Sequence, residues 1–162
     1  MDEAIGRLTD NLDRGDADSR RAAAEQLAQL GPDAAPAAVA LVRACDDDES
    51  VREWAVAALE GMEAPPASDV ERLAELLADA NALSAYWAAT LLGRLGDKAA
   101  PAVSALAAAL DAGRDLSVRE RAAWALGQIG PAAAAALSAL KLAAASGEAR
   151  LARLAEQAIA RQ

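Results

Sequence analysis

Trp54, Tyr86, Trp87 and Trp124 are the side chains in this sequence best suited to grip a ligand. Large aromatic rings bring much contact area at little entropic cost and anchor many protein and peptide interfaces. They are all the aromatic residues there are, with no Phe. Acid–base and metal chemistry is poorly provided for. The sequence has no His, which removes His-based triads, His-containing zinc sites and the usual neutral-pH general base. Cys45 is the single cysteine; it has no disulfide partner and no His to activate it as a nucleophile. It reads as a small apolar residue near a helix end. The densest acidic run, Asp46-Asp47-Asp48-Glu49, lacks the alternating ligands, turn Gly and distant bidentate Glu of a calcium loop. A solvated inter-helix turn with capping carboxylates is expected there. Gly93-x-x-Gly96 and Gly127-x-x-Gly130 have the spacing of a backbone-clamping loop, yet both fall at predicted helix C-termini and read as caps and close-packing points. No carboxylate pair stands out by an apolar surround, so no acid/base pair is assigned. The expectation is a non-enzyme without metal or cofactor.

The elements that carry these residues are predicted to be helices. Ala fills 49 of 162 positions, and Ala has the best helix propensity and loses no side-chain entropy. A core of Ala and Leu suits helices whose axes approach closely, whereas sheets prefer branched and aromatic residues. The sequence also repeats. Segments beginning at Asp18, Ser50, Leu83, Ser117 and Arg150 align, and their aliphatic anchors are Leu27, Leu59, Leu92, Leu126 and Ile159. The anchors stand 32, 33, 34 and 33 residues apart, the length of a helical hairpin. Four residues before the anchor stand Ala23, Ala55, Ala88, Ala122 and Ala155; eight before, Ser19, Val51, Ser84, Val118 and Leu151; three after, Leu30, Met62, Leu95, Ile129 and Gln162. These offsets fall on one stripe of a helix. The unbroken Ala column marks a place where neighbouring helices nearly touch.

A first helix precedes each of these second helices, with apolar residues such as Ile5, Leu8 and Leu12, or Leu137, Leu140 and Leu142. Gly31-Pro32 and Gly130-Pro131 place a helix-ending Gly before a Pro suited to a first turn; Gly96-Asp97 and Pro65-Pro66 do similar work. Ser50-x-x-Glu53, Ser68-x-x-Glu71 and Ser117-x-x-Glu120 have the form of capping boxes with Ser at the helix start. The hairpins fall at about 1–31, 32–63, 64–96, 97–130 and 131–162. One hairpin cannot bury its stripe alone, so neighbours must stack. The predicted fold is all-α: a right-handed α-solenoid of five stacked hairpins, about ten helices, in a single domain over 1–162. Terminal hairpins should be more polar, and Asp10, Asp13, Asp16 and Asp18 crowd the first while Gln162 ends the last.

The net charge is −9, which disfavours nonspecific attraction to nucleic acid or anionic lipid. The charge is uneven. Residues 1–111 hold 9 basic and 21 acidic residues, net −12, and residues 112–162 hold 7 and 4, net +3. That is either drift among solvated faces or a basic end that orients an acidic partner. Ala122–Leu140 is free of charge, but Gly130-Pro131 breaks it and Ala dominates it, so it is not read as a membrane span. With no basic n-region followed by an apolar stretch, a cytoplasmic location is the expectation.

Val51-Arg52-x-x-Ala55-x-x-x-Leu59 and Val118-Arg119-x-x-Ala122-Ala123-x-Ala125-Leu126-Gly127-x-Ile129-Gly130 resemble the HEAT-repeat family, especially the bacterial type found in phycobilisome-lyase-like proteins. The resemblance covers the whole chain, and the hairpins are then HEAT-type. It implies that the second helix of each hairpin lines a concave face. It also implies that Arg20, Arg52 and Arg119 form a structural ladder with turn Asp residues, candidates being Asp13, Asp46, Asp47, Asp79 and Asp111. Ala85 and Ala152 interrupt that ladder. The His-rich di-iron site of HEAT-type hydroxylases has no counterpart in a chain without His. HEAT-like DNA glycosylases need a basic groove beside a catalytic Asp, which the acidic balance opposes.

On the second helices Trp54 and Trp87 share the column five before the anchor, Tyr86 lies six before, and Trp124 two before. At about 100° per residue the first column flanks the core stripe and the other two point away from it. With stacked helices about 8–10 Å apart, Trp54, Trp87 and Trp124 are expected to form a nearly continuous strip; a flank Trp equally suits an inter-helix crevice. Glu53, Arg94, Glu120, Arg121 and Gln128 would be its polar rim. Three functions fit: a scaffold for a protein or peptide, a chromophore-lyase-like or planar-ligand carrier, and a purely structural self-associating module. The first accounts best for the aromatics.

Overall fold

The computed structural model describes residues 2–162. The described residues contain ten α-helical elements, four 3-10 stretches and no strand. They form two compact units, one up to Pro66 and one from Ala67. The first holds α1 (Asp2–Arg14), α2 (Ala17–Leu30), α3 (Ala38–Ala44) and α4 (Glu49–Gly61). Here α2 packs on α1 and α4, and α3 on α4. The second holds α5 (Val70–Leu76), α6 (Ala82–Leu95), α7 (Val103–Ala108), α8 (Leu116–Ile129), α9 (Leu137–Ala144) and α10 (Ala149–Ile159). Its second helices run side by side, α6 on α8 and α8 on α10, and each packs on the first helix of its own hairpin.

The helices are not ten separate rods. After α2, α6 and α8 the chain enters the 3-10 stretches Gly31–Ala37, Gly96–Ala102 and Gly130–Ala136, which lead straight into α3, α7 and α9. The α and 3-10 elements therefore join into seven uninterrupted helical runs among the described residues. What turns the chain is one residue per junction. Gly31, Gly96 and Gly130 have φ of 53°, 59° and 70°, a region costly for any residue with a Cβ. Gly130 also breaks the apolar stretch Leu116–Ala144, which passes for a membrane span by length and composition alone and is half buried. It folds there into α8 and α9, which pack on the other helices of the second unit.

The anchors and the Ala column carry the core. Leu27, Leu59, Leu92 and Leu126 are wholly buried, as are Ala55, Ala88, Ala122 and Ala155, with Ala23 nearly so. Leu142 departs from expectation: it is 76% exposed. Leu140 and Ala143 face inward, and a residue two positions from Leu140 lies on the far side of a helix.

The serine capping boxes are also corrected. The caps are Asp48 for α4 and Asp115 for α8, so Ser50 and Ser117 lie inside the first turn. Asp48 Oδ1 accepts from the backbone N–H of Ser50 and Val51 and from the Ser50 hydroxyl at 2.7 Å. Asp115 Oδ1 accepts from the Ser117 N–H and hydroxyl. Asp16 and Asn81 cap α2 and α6 in the same way. A carboxylate satisfies free first-turn N–H groups and suits the positive helix end, so it takes the cap and the serine becomes a donor to it. Ser68 lies in the 3-10 turn Ala67–Asp69 before α5, whose N-cap Asp69 makes no side-chain capping bond.

Candidate binding site

In the second unit the aromatic residues meet arginines. Tyr86 and Trp87 project from α6 and Trp124 from α8. Their rings and guanidiniums interleave because the columns of adjacent hairpins lie side by side. The Arg121 guanidinium lies over the Tyr86 ring at 4.7 Å and over the Trp124 ring at 5.2 Å, and it donates a hydrogen bond to the Tyr86 hydroxyl. Tyr86 meets Trp87 edge-on, 5.6 Å between centroids, and Arg94 lies 5.8 Å over the Trp87 ring. Each contact is of the cation–π or T-shaped kind that holds a ring in place.

Two glycines make room for this arrangement. A Cβ on Gly93 would stand 2.2 Å from Cζ3 of Trp124, so the indole of α8 rests on the bare backbone of α6. A Cβ on Gly127 would stand 3.3 Å from the Ala158 Cα, which marks the close approach of α8 to α10. Two clefts flank Trp124, each of about 120 Å³. One is lined by Tyr86, Ser117, Glu120, Arg121, Arg150 and Leu154. The other is lined by Gly127, Gln128, Leu154, Gln157, Ala158 and Arg161. Glu120 is already engaged: Arg150 Nε lies 3.3 Å from its Oε2.

The structure thus brings Tyr86, Arg94, Glu120, Arg121, Trp124 and Gln128 together. Tyr86, Arg121 and Trp124 are half-buried and Gln128 is exposed. Trp87 is a correction. It is only 6% exposed and is the support on which Tyr86 and Arg94 rest, not a free contact surface. An exposed strip running Trp54–Trp87–Trp124 therefore does not exist. The column five before the anchor sits on the edge of the core stripe, and neighbouring side chains decide whether a ring there is covered. In α8 the same column holds Arg121. Trp54 and Glu53 belong to α4 in the first unit, where both are exposed.

Of the arginines expected as a ladder, Arg20 pairs with one of the candidate turn aspartates and Arg119 turns to a backbone carbonyl. Arg20 forms a two-pronged bond to Asp47, Nε to Oδ2 at 2.7 Å and Nη2 to Oδ1 at 3.0 Å, which raises its pKa through that hydrogen bond. Arg119 donates instead to the backbone carbonyl of Leu110 at 3.2 Å. Arg52 is half-buried. Sequence reasoning missed Arg114, whose Nη2 donates to the carbonyls of Leu77 and Asp79 at 2.5 and 3.0 Å and so ties one hairpin to the next. It also missed Arg150 and Arg161 as cleft residues; the +3 charge of residues 112–162 was the available signal. Cys45 is fully buried at the end of α3, and burial pushes its thiol pKa up to about 12.

A family model for HEAT repeats matches residues 70–160, more than half of the chain. No curated protein matches it. Among solved structures, an engineered protein is 22% identical with a TM-score of 0.67, over 98% of this chain and 78% of that one. A designed armadillo repeat protein in complex with the peptide (KR)4 is 20% identical with a TM-score of 0.67, over 98% and 82%. Human deoxyhypusine hydroxylase in complex with glycerol is 24% identical with a TM-score of 0.53, over 99% and 74%. At these identities the likeness is one of fold.

Proposed function

We propose that this chain, which belongs to the HEAT-repeat family, is a non-catalytic scaffold that holds a protein or peptide partner on its second helices. The observation that carries this reading is the Tyr86–Arg121–Trp124 stack. It is a half-buried set of large side chains, in a chain whose other large apolar residues are mostly buried. Half-buried aromatics and arginines of this kind are the anchors of peptide interfaces. The designed armadillo neighbour with its (KR)4 peptide is a precedent for peptide binding by this fold. Ligand pockets for a planar cofactor run to about 300–1,000 Å³, larger than either cleft beside Trp124, which favours side chains of a peptide over a chromophore. One neighbour is an enzyme. Here, however, there is no His, and the one thiol is buried with a raised pKa.

The same repeat period runs through both units. On that sequence ground the proposal extends to one right-handed α-solenoid of five hairpins, 1–162, with the second helices on its concave face. The net charge of −9 supports a protein partner over nucleic acid or membrane; a cytoplasmic setting is proposed with it. Selection from a displayed peptide library tests the reading. Peptides enriched on the wild-type chain should bind Tyr86→Ala/Trp124→Ala at least about tenfold more weakly, with helicity by circular dichroism unchanged. No enrichment, or equal binding to the variant, would contradict it.

A further inference from the structure

We propose that the segment held at this face is acidic, with a carboxylate received by the guanidinium of Arg121 beside Trp124. The inference rests on the peptide-scaffold reading of the same face. Arg121 contacts the rings of both Tyr86 and Trp124, and Arg94 lies on Trp87. Ring contact thus holds both guanidiniums at this face. Arg121 gives one bond to the Tyr86 hydroxyl, out of five N–H donors in a guanidinium. A stacked guanidinium is pre-organised for the planar, two-pronged bond a carboxylate makes.

The charge of the neighbourhood points the same way. The chain has 25 acidic and 16 basic residues. Around Trp124 the balance reverses: Arg121, Arg150 and Arg161 line its clefts against Glu120 alone, and Arg94 adds a fourth cation. Glu120 is already paired to Arg150. Burial first, and then the nearby charge of Arg121, lower the Arg94 pKa. A carboxylate bound at Arg121 would offset that repulsion. The clefts on either side of the indole are side-chain sized. Together these features fit an extended segment that alternates acidic and aliphatic residues.

Fluorescence anisotropy with the full chain tests this, using four labelled probes. They are a short peptide alternating Glu and Leu, its Gln–Leu and Lys–Leu counterparts, and an oligothymidylate of the same negative charge. The Glu–Leu peptide should bind at least about tenfold tighter than each of the other three, and should weaken as salt rises. Arg121→Gln should abolish that preference. Arg121→Lys, which keeps the charge but loses the fork, should retain only part of it. Equal binding of the Gln–Leu or Lys–Leu peptide, or of the oligothymidylate, overturns the inference, and that comparison depends on no variant folding. If the Glu–Leu peptide fails while library-selected peptides still lose binding in Tyr86→Ala/Trp124→Ala, the charge inference alone falls. If no peptide binds, the scaffold reading falls with it.

Discussion

Gly93 and Trp124 depend on each other. The indole occupies the space that any side chain at 93 would need, so the position tolerates glycine for lack of room, its backbone being ordinary helix. Gly93→Ala is expected to overpack the contact at a cost of about 1–3 kcal/mol. It should also swing the indole outward, seen as a lower melting temperature and red-shifted tryptophan emission. An unchanged melt and spectrum would refute the contact. Cys45 offers a second check. With its thiol raised to about 12, against about 8.5 for a free one, it should resist alkylation in the folded chain and react only on unfolding. At this scale the sequence was partly legible. Column arithmetic placed Tyr86 and Trp124 away from the core stripe. It did not settle Trp87, because a flank position is covered or open according to its neighbours, here Tyr86 and Arg94. Nor did spacing reveal that Arg121 would contact two rings drawn from different helices.

The helix starts were legible in the wrong residue. Eleven positions before the anchors stand Asp16, Asp48, Asn81, Asp115 and Glu148, and each is the N-cap of its second helix. The serines drew attention because a capping box is defined by its Ser and Glu, yet the stronger acceptor lay two residues upstream. Bonds from Ser19, Ser50 and Ser117 hold the carboxyls of Asp16, Asp48 and Asp115 below the usual aspartate range. A carboxyl whose folded pKa is depressed contributes stability that is fully present above its unfolded value, about 4. That contribution is lost as the pH falls through the folded value. Replacing the three aspartates by Asn, the residue the chain itself uses at 81, keeps an acceptor and removes the titration. Thermal unfolding of that triple variant should be close to wild type near neutrality and fall less steeply in acid. An acid profile identical to wild type would show that the caps do not titrate. The uninterrupted passage through 3-10 helix after Gly31, Gly96 and Gly130 was not legible, because a helix-ending Gly, followed by Pro or by Asp, signals a turn without saying how the chain continues.

Across the whole chain the repeat was the legible feature. A period near 33 residues placed the second helices and their buried Leu and Ala columns, because burial against a neighbouring hairpin forces the same residue types to recur. The division into two compact units at Pro66 had only Pro65-Pro66 as its signal. Residues 62–66 lie outside any helix, and Glu63 is exposed. A glutamate-specific protease should therefore cut first after Glu63 or after Glu148, the exposed N-cap of α10, since segments without helical hydrogen bonds open most readily. First cleavage within α6 or α8, followed by mass spectrometry, would contradict that order of stability.

The central claim is that a partner peptide lies on α6 and α8 against Tyr86, Arg121 and Trp124. Hydrogen exchange of the full chain, with and without a peptide selected on it, tests this most directly. Slowed exchange on binding should concentrate in Ala82–Leu95 and Leu116–Ile129. Protection confined to α7 and α9, with those two helices unchanged, would place the partner on the opposite side of the hairpins and contradict the account.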